Sequence, residues 1–367
     1  MECTAFGRCG SCQLYNLNYP EQVEWKRERI LELFNQFETP ELEVFTGPES
    51  HYRARAEFRV WLEGGKLFYG MREKGNGRKI VPIEQCEIVD KAIYSFMPLL
   101  RRELEARPHL LPRLYEIDFL SNSRGELIVT IIYHRQVTPE IVAGFREIKE
   151  RYPTYHFVLR KKGRKELLDR NWLIEELEVE GQTYYYQIVE NTFTQPNRHL
   201  NRRMIGWALE VTEGIGGDLV ELYCGNGNFT IPMAKKRFQR VIATEINKES
   251  IGAAIEGTRL NGIENITFLA MSAEKFAELV EEKSPLLKGY NLETILVDPP
   301  RAGLDPKSRR FVNRFKNILY ISCNPETLRR DLEVLGVGRR IERFALFDQF
   351  PYTPHIEMGV FLRPKES

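Results

Sequence analysis

With 367 residues, 42% of them apolar, the chain can build two or three cored domains, yet it holds no apolar run near the ~18 residues of a membrane span. A net charge of +1 argues neither for nor against nucleic acid. Residues 1–6 lack the basic-then-apolar order of a signal peptide, so a cytoplasmic protein is expected, with no membrane partner and no obligate protein partner evident.

The first fifteen residues, MECTAFGRCGSCQLY, hold C-x5-C-x2-C, and Gly7 and Gly10 allow the chain to wrap. With Cys86 these cysteines, Cys3, Cys9 and Cys12, read as ligands rather than as disulfides in a cytoplasmic chain. Residues 19–37 carry Val23, Ile30, Leu31, Phe34 and Phe37 at helical spacing. Strands are expected at 52–62 and 67–71 around the turn 63–66, and again at 80–83 before Cys86. A helix over 90–107, a hairpin of 115–120 and 126–133, a helix over 138–151 and a strand-rich run at 172–189 complete an α+β half without strict alternation. Two stretches of it are basic: residues 51–79 carry eight Arg/Lys against three Glu, and residues 159–170 six against one Glu and one Asp. Such clusters suit phosphates or solvated strand edges.

Near 190 the register changes. Pro196 suits the first turn of a helix over 197–213. Strands at 219–223, 240–245 and 266–270 then alternate with helices at 229–236, 248–261 and 273–282. Residues 295–297 and 318–321 are short, β-branched apolar runs flanking a helical stretch, a βαβ unit of a parallel sheet. A helix at 325–335 and two runs at 341–348 and 356–362 finish an α/β, doubly wound domain. The expected division is an N-terminal unit of residues 1–190 and a C-terminal one of residues 191–367.

Chemistry in such sheets gathers beyond the carboxyl ends of the strands. Asp298 and Arg301 follow one strand end and Cys323 another. Earlier, Gly225 and Gly227 follow a strand and open a helix, and Glu245 ends the next strand, where a dinucleotide fold places the acid that binds ribose hydroxyls. The loop has neither a third glycine nor a basic residue for a pyrophosphate. Both absences fit a ligand with ribose and adenine but no phosphates, namely S-adenosylmethionine.

With FTQPN at 193–197, LYCGNGNF at 222–229, ATE at 243–245, VDPPR at 297–301, ISCNPETL at 321–328 and LFDQFPYTPHIE at 346–357, the chain resembles the RNA uracil-C5 methyltransferases over nearly its whole length. The length and the last motif look most like the tRNA branch. The resemblance implies a class I (Rossmann-like) methyltransferase domain behind an RNA-binding region. It implies methylation of C5 of uridine 54 in the T-loop of tRNA, with tmRNA a further partner. It places Gln195, Tyr223, Asn228, Glu245 and Asp298 around S-adenosylmethionine, makes Cys323 the nucleophile and Glu357 the proton acceptor. The typical tRNA enzyme lacks the N-terminal cysteines, whereas the ribosomal RNA branch has this spacing with a distant fourth and binds a [4Fe–4S] cluster. By that likeness Cys3, Cys9, Cys12 and Cys86 would hold such a cluster, with zinc or an empty, vestigial set as alternatives.

The ribosomal branch usually carries an N-terminal barrel, for which there is no room before residue 1. A ribosomal RNA methyltransferase with the same chemistry remains the first alternative, and a non-catalytic RNA chaperone the second. Against the latter stands the thiol: a binding module has no use for Cys323 at a strand end. Uracil C5 becomes nucleophilic only once a thiolate adds to C6, and the C5 proton must then leave, so a thiolate and a base are both required. Cys224 is expected to be structural and His355 a structural neighbour. Tyr115 and Phe350 are expected to pack in cores, with stacking on a base the other role open to them.

Overall fold

A computed structural model describes residues 3–365. In chain order it contains α1 (Tyr19–Leu33), β1 (Glu43–Phe45), β2 (Arg55–Glu63), β3 (Lys66–Glu73), β4 (Asn76–Ile83), α2 (Lys91–Glu105), β5 (Leu114–Ser121), β6 (Leu127–Tyr133), α3 (Pro139–Arg151), β7 (Tyr155–Lys161), β8 (Arg164–Leu167), β9 (Trp172–Val179) and β10 (Gln182–Val189). There follow α4 (Arg198–Val211), β11 (Asp218–Leu222), α5 (Thr230–Lys236), β12 (Arg240–Glu245), α6 (Lys248–Leu260), β13 (Ile266–Ala270), α7 (Ala273–Glu281), β14 (Thr294–Val297), α8 (Pro306–Val312), β15 (Asn317–Ser322), α9 (Pro325–Leu335), β16 (Arg339–Phe347) and β17 (Glu357–Pro364).

The strands form a seven-stranded sheet, a two-stranded ribbon and an eight-stranded sheet. The seven-stranded sheet runs β4-β3-β2-β5-β6-β7-β8 and is antiparallel except where β6 meets β7. Its odd-numbered residues Ile117, Phe119, Val129, Ile131, Phe157 and Leu159 face α2 and α3, which bury Phe96, Met97, Leu100, Ile141, Phe145 and Ile148 against them. That is the period-two alternation of a strand meeting the stripe of an amphipathic helix. Leu120, Ile128 and Val158 point the other way, onto Leu173 and Ile188 of the β9–β10 ribbon.

The eight-stranded sheet runs β1-β16-β17-β15-β14-β11-β12-β13. β15, β14, β11, β12 and β13 are parallel, while β17 is antiparallel to both of its neighbours. From β11 the chain winds outward to β12 and β13, then returns to β14 on the opposite side. The topological switch point therefore lies between β11 and β14, and their carboxyl ends open one crevice.

The sheets depart from a simple division at 190/191. β1 pairs in parallel with β16, Glu43 opposite Ala345. α1 buries Ile30 and Phe34 in the core of the eight-stranded sheet, with the Phe34 and Phe344 rings 5.2 Å apart. Residues 19–45 thus belong to the later layer, and the seven-stranded sheet is inserted between them and the rest of it. β1 and the β7–β8 hairpin are strands that the sequence pattern did not announce.

Candidate active site

Local chemistry fixes each wall of the crevice. β11 ends at Leu222, and the chain turns through Tyr223 at φ 64°, Gly225 at φ 55° and Gly227 at φ 85° before α5. A Cβ at Gly227 would stand 3.3 Å from Ile231, the close approach that glycine permits. A Cβ at Gly225 would meet nothing within 4 Å, so this backbone borders open space that a ligand can fill. Glu245, at the end of β12, accepts from the Gly225 amide at 3.3 Å and from the Asn247 amide at 2.8 Å. One carboxylate thus fixes both the loop and the start of α6.

The facing wall comes from the segment before α4. Asn197 caps that helix by accepting from the Leu200 amide at 3.2 Å, which sets the preceding Gln195 at the helix entrance. Gln195 accepts from Gln349 at 2.9 Å. Asn228 and Asn201 exchange amide hydrogen bonds of 2.7 and 2.9 Å. Gln195, Asn226 and Asn228 line one narrow cavity of about 20 Å³ together with Arg198, Asn201 and Tyr186. The Tyr223 ring packs into the lower core instead, and burial pushes its phenol up to about 12. What Tyr223 offers the crevice is its backbone.

The reactive groups lie at the third wall. In the β15–β17 ladder Ile321 faces Gly359 and Ser322 faces Met358, so the next position sets Cys323 beside Glu357. Asn324 caps α9 and Pro325 opens it, which ends the strand at the thiol. Burial first, then the charges of Glu357 and Asp298, push the Cys323 thiol up to about 12, while Arg301 pulls it down. Glu357 is 3% exposed, and burial together with Asp298 holds its carboxyl well above the carboxylate range. Burial likewise raises Asp298. Below the glycine loop, burial and then Asp298 push Glu221 up to about 8, and its Oε2 has no partner. The pocket is therefore a buried acidic basin, a setting that favours a cationic ligand.

The chain from Asp348 to Ile356, which delivers Glu357, is pinned from behind. Lys26 and Asp348, both fully buried, pair at 2.5 Å, and Lys26 also donates to the Phe350 carbonyl at 3.0 Å. The Gln22 amide oxygen accepts from the Tyr352 amide at 2.7 Å, Tyr52 donates to the Pro351 carbonyl at 3.0 Å, and the Leu14 amide donates to the Tyr352 carbonyl at 2.9 Å. Tyr352 also packs with Cys12, Tyr52 and Ile88, with Phe6 and Cys86 alongside. Two of the expected ligand cysteines, Cys12 and Cys86, thus sit directly behind this loop, while Cys3 and Cys9 pack against the core of the seven-stranded sheet.

All four of those cysteines are free thiols, Cys9 and Cys12 buried, Cys3 and Cys86 half-buried. Burial raises Cys12 and Cys86, the latter to about 12, and the other thiols add to it: Cys86, Cys9 and Cys3 act on Cys12, and Cys9 and Cys3 on Cys86. The thiols are near enough for their charges to act on one another, although among the described residues no three Cys, His, Asp or Glu side chains are grouped so as to grip a metal ion.

The model of the tRNA (Uracil-5-)-methyltransferase family matches residues 18–365. The chain belongs to this family. A tRNA/tmRNA (uracil-C(5))-methyltransferase of Nautilia profundicola is 57% identical over 364 residues, covering 99% of this chain and all of the relative. A protein of the same description from Vibrio parahaemolyticus is 44% identical over 360 residues, 95% of this chain and 97% of that one. Among solved structures, the tRNA (uracil-54, C5)-methyltransferase of Pyrococcus abyssi, determined with S-adenosyl-L-homocysteine, is 26% identical with a TM-score of 0.75, covering 96% of this chain and 85% of that one.

The structure places the motif residues in three local groups. Gln195 and Asn228 share a cavity, Glu245 holds the glycine loop, and Cys323, Glu357 and Asp298 feel one another. His355 lies 3.5 Å from Arg301, at the rim. Cys224 is 3% exposed with its thiol raised by burial, as a structural cysteine is. Sequence reasoning missed Gln22, Lys26, Asn201, Arg198 and Gln349. A signal existed for two of them: Gln22, Lys26, Ile30 and Phe34 are spaced by four, so two polar residues occupy the buried stripe of α1.

Proposed function

We propose that this chain methylates C5 of uridine 54 in the T-loop of tRNA, and the matching uridine of tmRNA, with S-adenosylmethionine as donor. The observation that carries the reading is the thiol of Cys323 set against the carboxyl of Glu357 across the β15–β17 ladder, at the open end of a doubly wound sheet. Gln195, Asn228, Glu245 and Asp298, with the backbone of Tyr223 to Gly227, would hold the donor. The open space at Gly225 and the unpartnered Glu221 oxygen fit it. The donor supplies an electrophilic methyl group on a cationic sulfur.

The residues act as follows. As thiolate, Cys323 adds to C6, and the electron pair passes to C5 and O4. C5 then takes the methyl group. Glu357, as carboxylate, removes the C5 proton, the C6–S bond breaks, and the thiolate returns. In the ligand-free site burial disfavours the ionised form of both groups. A cation bound among them favours their ionised forms, so the basin is primed by its ligand.

RNA recognition falls to the unit of residues 46–190 in this reading. Tyr115 and His134 stack at 3.6 Å, with Arg59 3.9 Å above the tyrosine, an aromatic and cationic tier that suits contact with RNA away from the reacting uridine. Cys3, Cys9, Cys12 and Cys86 would hold a [4Fe–4S] cluster, which takes four cysteine ligands and spans more than a single ion does. Anaerobically purified protein is expected to be brown and to contain iron and sulfide, with Cys12→Ser colourless; colourless native protein with stoichiometric zinc rules the cluster out. For the activity itself, 5-methyluridine is mapped in tRNA and ribosomal RNA from cells with and without the gene. Loss at position 54 of tRNA is expected. Loss confined to ribosomal RNA overturns the substrate.

A further inference from the structure

The mouth of the crevice carries a row of cations that stand outside the acidic basin. Arg53 is set rigidly: its amide donates to the Ile88 carbonyl, its carbonyl accepts from the Asp90 amide, and the neighbouring Ala54 amide donates to Pro196. Its side chain donates through Nε to the Arg55 carbonyl at 2.8 Å and reaches over the Phe350 ring, 5.8 Å from the centroid. Phe350 in turn meets His355 edge-on at 5.9 Å, and His355 Nδ1 lies 3.5 Å from Arg301. Guanidinium, ring, ring and guanidinium thus follow one another, and the last of them, Arg301, lies close enough to Cys323 for its charge to act on the thiol. Arg29 joins them by donating to the Pro354 carbonyl at 3.3 Å, although it also pairs with Glu326.

Among the described residues no ion pair joins Arg53 or Arg301 to a carboxylate. Elsewhere the guanidiniums at comparable junctions are matched: Arg198 to Asp90 and Glu175, Arg343 to Glu43 and Glu210. Burial, then Arg301, Lys26, Arg53 and Arg29, hold the His355 imidazole below its ordinary range, so these charges face a common point. An acid-lined basin whose groups burial keeps from ionising, inside a cationic rim, separates the two parts of a nucleotide. Phosphodiester suits the rim, a neutral base passes inward, and π faces alternate with forks that grip phosphate oxygens.

We propose that Arg53 and Arg301, with His355 between them, bind the phosphodiester backbone on either side of the extruded uridine. The assignment rests on the uridine-methylation reading. It makes these residues a clamp that holds the nucleotide over Cys323 rather than a diffuse basic surface.

The test uses the full-length protein and T-arm hairpin RNAs carrying a single methylphosphonate, either at a linkage flanking the target uridine or in the stem. With the unaltered enzyme each flanking replacement is expected to weaken binding about tenfold, and a stem replacement far from the loop hardly at all. Arg53→Gln and Arg301→Gln should each weaken binding of normal RNA by about the same factor and flatten the salt dependence by roughly 0.7 in slope for each lost contact. Each variant should then be indifferent to one of the flanking methylphosphonates. Melting temperatures establish that the variants fold. Arg53→Lys, which keeps the charge but not the fork, should fall between Arg53→Gln and the unaltered enzyme. Losses that multiply independently, or flanking linkages that do not matter, overturn the clamp while methylation of the hairpin by the unaltered enzyme leaves the functional reading standing. No methyl transfer to any hairpin by the unaltered enzyme overturns both.

Discussion

Cys323 and Glu357 are neighbours across two strands, yet in the proposed mechanism each governs a different bond. Cys323→Ala should abolish methylation and every covalent link to RNA. Glu357→Gln should add the thiol and transfer the methyl group, then stall, because elimination waits for the C5 proton. A denaturing gel with labelled T-arm RNA and S-adenosylmethionine reads this directly. A slow band is expected for Glu357→Gln, and for the unaltered enzyme with 5-fluorouracil at the target, but none for Cys323→Ala. A slow band in Cys323→Ala moves the nucleophile elsewhere; full turnover by Glu357→Gln removes its role as base. Glu221 allows a second measurement at this scale. Its folded value, about 8, exceeds the ordinary 4.5 because of burial, so the native state keeps a proton that the unfolded chain has released. Its contribution is favourable at low pH and is lost as pH rises from about 4.5 to about 8. Glu221→Gln should therefore gain stability over the unaltered protein progressively across that window, reaching a few kcal/mol above it, as read by urea unfolding at several pH values. Parallel curves for the two proteins would mean that Glu221 ionises freely.

At the scale of elements, α1 is the brace of the loop that delivers Glu357. Its polar stripe, Gln22 and Lys26, meets Tyr352, Asp348 and Phe350 in a dry interface. Lys26→Met leaves Asp348 buried without a partner and should cost roughly 3–5 kcal/mol in urea unfolding, whereas Lys26→Met combined with Asp348→Leu should cost far less. Equal losses in the single and double variants would show that the pair does not act as a unit. This brace also marks where sequence stops being readable. The glycine loop, the strand ends at Asp298 and Cys323, and the alternating α/β order were legible because turn residues and apolar periodicity are local signals. Lys26 and Asp348 look like surface charges until a partner 322 residues away buries both. β1, only three residues long, has no pattern of its own and exists because β16 offers it an edge. β7 and β8 lie in the basic stretch, where Arg160 pairs with Glu190.

For the whole molecule, the joint between units is Arg198. Its guanidinium reaches Asp90 at the start of α2, Glu175 on β9 and Ser121 at the end of β5, at 2.6 to 2.8 Å. It follows Gln195 by one turn, so the seven-stranded sheet, the ribbon and the cofactor wall converge on a single side chain. Arg198→Met should leave two carboxylates unmatched, destabilise the fold by roughly 3–5 kcal/mol and weaken binding of S-adenosylhomocysteine. A stability loss with unchanged ligand affinity, measured by calorimetry, would separate the joint from Gln195.

The placement of β1 has a consequence for how the molecule is made. Glu43 and its partner Arg343 are 300 residues apart, and Lys26 waits longer still for Asp348. The seven-stranded sheet closes entirely within residues 55–167, from strands close in sequence. On a ribosome, the middle of the chain can therefore finish folding while its beginning is still without a partner. The outer edge of the catalytic sheet closes only when the last strands emerge. A chain interrupted before β16 would keep a complete seven-stranded sheet and have neither the braced loop nor Glu357.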